Sequence, residues 1–201
     1  MEKQIYKTRK ETEKIANFPN VAFIGYFASG KTYYANLLAK KLEEKGINPY
    51  RVSIANKIKI IAKDVFDMKE KDRRLLQLLG AKMREIDENV WINYLILDIK
   101  RNNKIPFIID DVRFRNEANL IKESYPNFLI VRLFADTEKR LDIYSDLYER
   151  KPTEEELNDP TEIDIDNIKY DESIINDYIP NTAEKAIDKL IEKYLWLDHT
   201  R

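Results

Sequence analysis

Two hydrophobic patterns alternate along this chain. Five short runs are almost continuously apolar, which predicts strands that are covered on both faces, as in a parallel sheet. These runs are residues 21–25, 50–55, 106–110, 128–133 and 172–176.

Between the runs, apolar residues recur at helical spacing and predict helices. The first of these helices, residues 32–45, reaches Gly46, a residue suited to end a helix. The others cover residues 57–67, 71–84, 87–101, 115–124, 137–150 and 182–196. Strands that alternate with helices predict an α/β fold with a parallel sheet, formed by one domain of residues 1–201.

Two segments depart from this alternation. Residues 1–18 are charged and predict an additional helix ahead of the first strand. Residues 150–171 are acidic, contain two prolines and show little core pattern. We interpret them either as a solvated surface excursion or as a mobile flap at a site.

Composition narrows the classes of function. The chain has 35 basic and 36 acidic residues and a formal net charge of -1, so it lacks the basic excess with which proteins coat nucleic acid. It has no cysteine, and its one histidine, His199, stands near the C-terminus. No apolar run approaches the roughly 20 residues of a membrane span. We expect a soluble cytoplasmic protein (host cytoplasm if viral) with no membrane or nucleic-acid partner; homodimer formation is left open.

The stretch "GYFASGKT", residues 25–32, contains two of the four glycines and matches the phosphate-binding loop G-x-x-x-x-G-K-[ST]. The glycines allow the backbone to approach phosphate oxygens, and the N–H groups then point into one concavity at the start of a helix. An apolar strand enters this stretch and an amphipathic helix leaves it, which is the context that the motif requires. We predict ATP and Mg²⁺ as cofactors, with Gly25, Ser29, Gly30, Lys31 and Thr32 as ATP-binding residues and Thr32 also on the metal.

A second motif is "PFIIDDVRFRNEA", residues 106–118. The strand ends in two carboxylates, Asp110 and Asp111, at the sheet edge where Mg²⁺ would lie. Asp111 and Arg113 are two residues apart and share one side of an extended chain. The alternative is a turn with a surface salt bridge.

Polar residues interrupt the leucine-rich helix that follows the second strand. Arg73 and Gln77 are four residues apart and share a helix face, and Arg84 lies beyond Gly80, which breaks the helical pattern. Arginine suits bidentate phosphate contacts, and Trp91 is a candidate for stacking on a base, with a core position as the alternative.

Arg140 and Arg150 are ten residues apart on one predicted helix, directly before the acidic segment. Phosphoryl transfer depends on positioning and on neutralising charge, which arginines on a closing flap supply. The alternative for each arginine is a solvent-exposed surface position without a catalytic role.

With these motifs, the chain resembles the nucleoside monophosphate kinases of the P-loop superfamily, and more narrowly the bacteriophage-type deoxynucleoside monophosphate kinases. The resemblance runs from residue 20 to 195 and rests most specifically on "GYFASGKT" and "IDDVRFRNEA". It also includes "SIANKIKIIAKDVF", "RRLLQLLG" with "DENVWINYL", and "ESIINDY" with "NTAEKAIDKLI".

The resemblance implies a P-loop kinase fold: a five-stranded parallel sheet flanked by helices, an acceptor-binding helical region (residues 56–102) and a lid region (residues 137–171). It implies that Lys31, Asp111 and Arg150 act in catalysis and that Asp111 assists the metal. It also places Arg140 by the adenine of ATP, with Asn176 in a segment, residues 176–182, that closes over that base. The implied acceptor-binding residues are Arg73, Gln77, Arg84, Trp91 and Arg113.

The chain departs from the family pattern in three ways. It has Ala81 where threonine is common, it has an additional N-terminal segment, and its lid has few arginines after Arg150. The choices between Asp110 and Asp111, and between Arg73 and Arg74, stay open. The leading hypothesis is transfer of the γ-phosphoryl group of ATP to a deoxynucleoside 5′-monophosphate. The alternatives are a P-loop kinase of another small acceptor, such as phosphomevalonate, and an ATP-binding switch without an acceptor.

Overall fold

The computed structural model describes residues 18–195, apart from the side chain of Arg73. Its centre is a five-stranded sheet in which all strand pairs are parallel, in the order β2-β3-β1-β4-β5. The strands are β1 (Asn20–Ile24), β2 (Tyr50–Val52), β3 (Phe107–Ile109), β4 (Phe128–Ala135) and β5 (Glu172–Asn176). The predicted α/β class and all five predicted strands are confirmed. Residues 1–17 of the predicted N-terminal helix and His199 lie outside the described residues.

Helices cover both faces of the sheet. They are α1 (Lys31–Glu43), α2 (Ala55–Phe66), α3 (Arg73–Ile86), α4 (Val90–Asn102), α5 (Arg115–Ser124), α6 (Thr137–Tyr148), α7 (Glu154–Leu157), α8 (Pro160–Ile163) and α9 (Pro180–Leu195), with a 3₁₀ helix at Asp164–Asn167. No helix within residues 18–195 is long and apolar enough to cross a membrane.

The central strand β1 divides the core into two layers. Val21 and Phe23 pack in a cluster with residues of α1 and α9, whereas Ala22 and Ile24 belong to a second cluster with residues of α4 and α5. Alternate side chains of a strand point to opposite faces, so a continuous apolar run fills both layers. This arrangement buries the strand that leads into the glycine motif.

Three local features differ from the sequence-based expectations. The second strand ends at Val52 rather than residue 55, because the residues after it hydrogen-bond to Asp111 instead of continuing the sheet. Gly80 does not interrupt its helix; it lies inside α3. The helix with Arg140 ends at Tyr148, and Glu149 adopts a left-handed conformation (φ 54°), so Arg150 lies beyond that helix.

The acidic segment after Arg150 is more structured than its composition suggests. It forms α7, α8 and the 3₁₀ helix, and Ile165 and Ile168 are buried in the core layer that contains α4 and α5. The two isoleucines are separated by polar residues, which is why the sequence shows no core pattern there. The segment is therefore packed on the body of the protein by its second half.

Candidate active site

The glycine motif forms the loop between β1 and α1, at the carboxyl edge of the sheet. Gly30 precedes α1 with φ 91°, a left-handed conformation that favours glycine. A Cβ atom at this position would lie 2.6 Å from Nδ2 of Asn176. The loop therefore requires glycine here for both its conformation and its packing.

Three side chains from elsewhere in the fold hold the carbonyl groups of this loop. Arg140 donates to the Phe27 oxygen (3.2 Å), the Tyr178 hydroxyl donates to the Ala28 oxygen (2.9 Å), and Asn176 donates to the Ser29 oxygen (3.1 Å). Because the carbonyl and N–H of a trans peptide point in opposite directions, these bonds turn the N–H groups of the same peptide units away from the donors. A phosphate-binding loop needs this arrangement.

Lys31 is buried at the start of α1, and its Nζ donates to the Gly25 oxygen (2.9 Å) and the Tyr26 oxygen (2.6 Å). Burial, followed by the nearby Arg113 guanidinium, lowers the pKa of Lys31 well below its ordinary value, although Glu162 and Asp110 oppose this shift. The positive charge of the Lys31 amine is therefore disfavoured by its surroundings in the loop, where its hydrogen-bond acceptors are two neutral carbonyl groups. A phosphate anion would stabilise its charged form.

A cavity of about 860 Å³ lies against the loop. Its other walls come from the start of α2, from α3, from the residues after β3, from α6 and from the segment after β5. The predicted site residues on this cavity are Gly30, Lys31, Thr32, Gln77, Arg84, Asp111, Arg113 and Asn176. A volume of this size suits a small-molecule ligand.

Arg84 and Arg113 form a basic wall of the cavity, and Glu117 connects them. The Glu117 carboxylate accepts from Nη2 of Arg84 (3.3 Å) and from the backbone N–H groups of Arg113 (3.0 Å) and Phe114 (3.2 Å). Glu117 is buried, and this burial raises its pKa, whereas its hydrogen bonds and Arg84 oppose the rise. The basic wall is therefore organised by a carboxylate that the sequence analysis did not identify, although a Glu in the first turn of a helix, here in "RNEA", is a recognisable capping signal.

The two adjacent aspartates have different partners. Asp111 accepts from Ile54 N–H (3.0 Å), Ala55 N–H (2.9 Å) and the Ser53 hydroxyl (2.7 Å), so it fixes the start of α2. Asp110 forms an ion pair with Arg51 (3.1 Å). Both line the cavity. Within residues 18–195, no three Asp, Glu or His side chains are grouped closely enough to hold a metal ion unaided.

Five predicted site residues whose side chains the structure describes do not line the cavity. Gly25 and Ser29 belong to the glycine loop itself, and the other three lie elsewhere. Trp91 is buried and donates from Nε1 to the Gly80 oxygen (3.1 Å), which ties α4 to α3. Arg140 is buried behind the loop, with its guanidinium carbon 4.8 Å from the centroid of Tyr26. Arg150 is exposed and pairs with Glu156 at 2.7 Å. The side chain of Arg73, predicted to bind the acceptor, lies outside the described part of the chain.

Glu162, in the acidic segment, is a further residue that the sequence analysis did not identify. Its carboxylate accepts from the Phe27 N–H of the glycine loop (2.7 Å) and from Nη1 of Arg113 (2.7 Å). The acidic segment therefore reaches the candidate site through the buried Glu162 side chain and through Thr161, which lines the cavity. Nothing in its sequence separates Glu162 from the exposed glutamates nearby.

Comparison with known proteins gives one partial relative and a set of similar folds. No model of a known protein family matches the chain. The chain is 30% identical over 84 residues to the deoxynucleoside-5′-monophosphate kinase of Escherichia phage T5. This alignment covers 41% of the chain and 32% of that relative, so the chain spans about a third of the length of the curated relative it matches.

Solved structures match nearly the whole chain. Shikimate kinase from Acinetobacter baumannii is 13% identical with a TM-score of 0.54, over 91% of this chain and 96% of that one. Kti12 from Chaetomium thermophilum, solved with ADP-AlF3, is 17% identical with a TM-score of 0.51, over 87% of this chain and 98% of that one. The chain therefore has the fold of the P-loop kinases.

Proposed function

We propose that this protein transfers the γ-phosphoryl group of ATP to a deoxynucleoside 5′-monophosphate, giving a deoxynucleoside diphosphate and ADP. The observation that carries the proposal is that two walls share one cavity: a phosphate loop with Lys31 forms the first, and Arg84 and Arg113 form the second. A switch protein that only binds ATP has no use for the second wall. A phosphotransferase needs it to hold the acceptor.

In this proposal one set of residues binds ATP, the phosphoryl donor, and another set binds the acceptor nucleotide. The loop N–H groups and Lys31 bind the donor phosphates and neutralise charge on the group in transfer. Arg84 and Arg113 bind the acceptor phosphate and hold its attacking oxygen in line with the γ-phosphorus. Gln77 lies on the same wall and is our candidate for contact with the acceptor base. We assign Trp91 a positioning role, because it holds α3, which carries Gln77 and Arg84, through the Gly80 carbonyl.

The adenine of ATP is expected beside the segment after β5. Asn176 and Tyr178 both bond to the phosphate loop and line the cavity with Ile179. Arg140 supports the loop from behind, where its guanidinium stacks on Tyr26 and Phe27. In this proposal Arg140 positions the loop, and Arg150 reaches the transferred group only if its ion pair with Glu156 opens.

The donor groups on the cavity suit Mg²⁺. This ion takes one or two carboxylates together with phosphate and water oxygens, and the Thr32 hydroxyl, Asp110 and Asp111 lie on the cavity wall. Asp111 already accepts three hydrogen bonds, and Asp110 forms one ion pair, with Arg51. We expect Thr32 and one of these aspartates to hold the ion. When bound, Mg²⁺ would neutralise negative charge on the ATP phosphates.

The identity of the acceptor is supported by the phage T5 relative, whose name specifies a deoxynucleoside 5′-monophosphate. The two arginines on the cavity agree with a phosphorylated acceptor, since Arg suits bidentate phosphate binding.

ADP release from MgATP, measured against deoxynucleotides, ribonucleotides and phosphomevalonate, tests the proposal. We expect stimulation by one or a few deoxynucleoside monophosphates. Lys31→Ala should lower kcat by roughly 10²–10³-fold, the range for removal of one electrostatic donor. Lys40→Ala, an exposed lysine on the same helix, is the matched control and should keep full activity.

Release that is indifferent to every acceptor would reject the kinase and favour the switch. Stimulation by phosphomevalonate alone would replace the nucleotide acceptor and leave the phosphotransferase in place.

A further inference from the structure

Glu162 bridges the two halves of the candidate site. Its Oε2 accepts from the Phe27 N–H of the phosphate loop, and its Oε1 accepts from Nη1 of Arg113, each at 2.7 Å. The residue is only 6% exposed, so the carboxylate is enclosed by these groups. One side chain therefore uses a donor from the ATP wall and a donor from the acceptor wall at the same time.

The segment that carries Glu162 is anchored on the body of the protein. Ile165 and Ile168 are buried in the core. Arg132, a buried residue of β4, donates to the Ile165 oxygen (2.9 Å) and pairs with Asp166, which also accepts from the Tyr26 hydroxyl (2.7 Å). The position of the carboxylate is thus determined by the contacts of the 3₁₀ helix and of Ile168, which follow Glu162 closely in the chain.

A carboxylate and a phosphate compete for such donors. Backbone N–H groups at a phosphate loop and an arginine guanidinium bind either anion through charge-assisted hydrogen bonds. The two anions also repel each other at close range, especially in a buried site. A phosphate oxygen cannot take the Phe27 N–H, or the Nη1 donor of Arg113 that Glu162 uses, while the carboxylate holds them.

We propose that Glu162 is an internal competitor of the substrate phosphates, which must displace it from the Phe27 N–H and Arg113 before they bind. The inference rests on the proposed function for the identity of the two walls. Because one carboxylate holds both donors, its displacement by a phosphate on either wall frees the other. ATP and acceptor are then expected to favour each other's binding.

Titration calorimetry with tripolyphosphate tests this inference without a nucleoside or an acceptor. We compare the unaltered protein with Glu162→Gln, which keeps the side-chain size and removes the charge. Glu162→Gln should bind tripolyphosphate at least ~10-fold more tightly, the size expected when a charged hydrogen-bonded competitor is removed. Glu155→Gln, an exposed glutamate of the same segment, should leave the affinity unchanged.

Glu162→Asp provides a second measurement should the glutamine variant fail to fold. It keeps the charge but is too short to reach both donors, so it should also bind tripolyphosphate more tightly than the unaltered protein. Equal or weaker binding by a folded Glu162 variant would overturn the inference while leaving the kinase proposal intact. Absence of binding to every folded form, the unaltered protein included, would count against both.

Discussion

The phosphate loop and the basic wall line one cavity and touch where Nη1 of Arg113 donates to the Gly25 oxygen (3.5 Å), but they are built in different ways. The loop is held through its backbone, because three of its carbonyl groups accept hydrogen bonds from the side chains of Arg140, Tyr178 and Asn176. The basic wall is held by side chains, since Arg84 pairs with Glu117 and Arg113 pairs with Glu162. The first wall therefore depends on chain conformation and the second on charge pairing.

This difference matters for recognition. A loop that binds through N–H groups is suited to any nucleoside triphosphate, because it reads phosphate and not the base. A wall of paired arginines can exchange a carboxylate for a substrate phosphate without a change in the backbone. We infer that the two walls will respond differently to substitution, and the following predictions test that difference.

The largest effect is expected from Gly30→Ala. Because of the positive φ and the 2.6 Å approach to Nδ2 of Asn176, a Cβ atom would strain the loop backbone and displace the amide that holds the Ser29 oxygen. Misplacement of catalytic groups by about 1 Å costs roughly 10²-fold in rate, so kcat/KM should fall by at least ~100-fold. Steady-state ADP release provides the measurement.

Gly80→Ala is the matched control for Gly30→Ala. Gly80 lies inside α3, and an added Cβ would meet Arg84 at 3.4 Å and Ile58 at 3.5 Å, which are ordinary contacts. Alanine should raise the free energy of unfolding by up to about 1 kcal/mol, through its higher helix propensity. Comparable loss of activity in both variants would contradict the distinction between the two walls.

A smaller and more selective effect is expected from Arg113→Ala. Loss of a charged hydrogen bond should raise the KM for the acceptor by roughly 10–100-fold, with a much smaller change in the KM for ATP. Arg115→Ala removes an exposed arginine two residues away and should change neither constant. An equal rise in both constants after Arg113→Ala would show that Arg113 does not belong to the acceptor wall.

The smallest effect concerns Asp166, which anchors the segment that carries Glu162. Hydrogen bonds from Arg132 and Tyr26 lower its pKa below the ordinary value of 3.8. A carboxylate with a lowered pKa stabilises the fold above its unfolded-state pKa, and this contribution is lost as pH falls through the folded-state value. The Asp166 side chain is 59% exposed, so the contribution should be under about 1 kcal/mol.

Asp166→Asn should therefore reduce the loss of unfolding free energy between about pH 5 and about pH 3, measured by urea denaturation. Asp142→Asn, an exposed position on α6, serves as the reference. The same pH dependence in the Asp166 variant and the unaltered protein would exclude a role for this pair in anchoring the segment.

Much of the fold was predictable because its signals are local. Each strand is a continuous apolar run, and the phosphate loop is recognised from eight consecutive residues between a strand and a helix. The predicted positions of Lys31, Arg84, Arg113 and Asn176 on one cavity are consistent with the motifs that contained them. The positions of Trp91, Arg140 and Arg150 depend on tertiary packing. The motifs alone therefore could not show that these three residues lie away from the cavity wall.

The sequence by itself determined the order of strands and helices, the phosphate loop and the supply of arginines near it, because each depends on residues that are neighbours in the chain. Only the tertiary structure decided which acidic residues organise these arginines. Arg113 and Glu162 are 49 residues apart, and Phe27 and Glu162 are 135 residues apart. A pairing over such a separation depends on where the acidic segment folds back onto the sheet, and hence on the burial of Ile165 and Ile168 beside it.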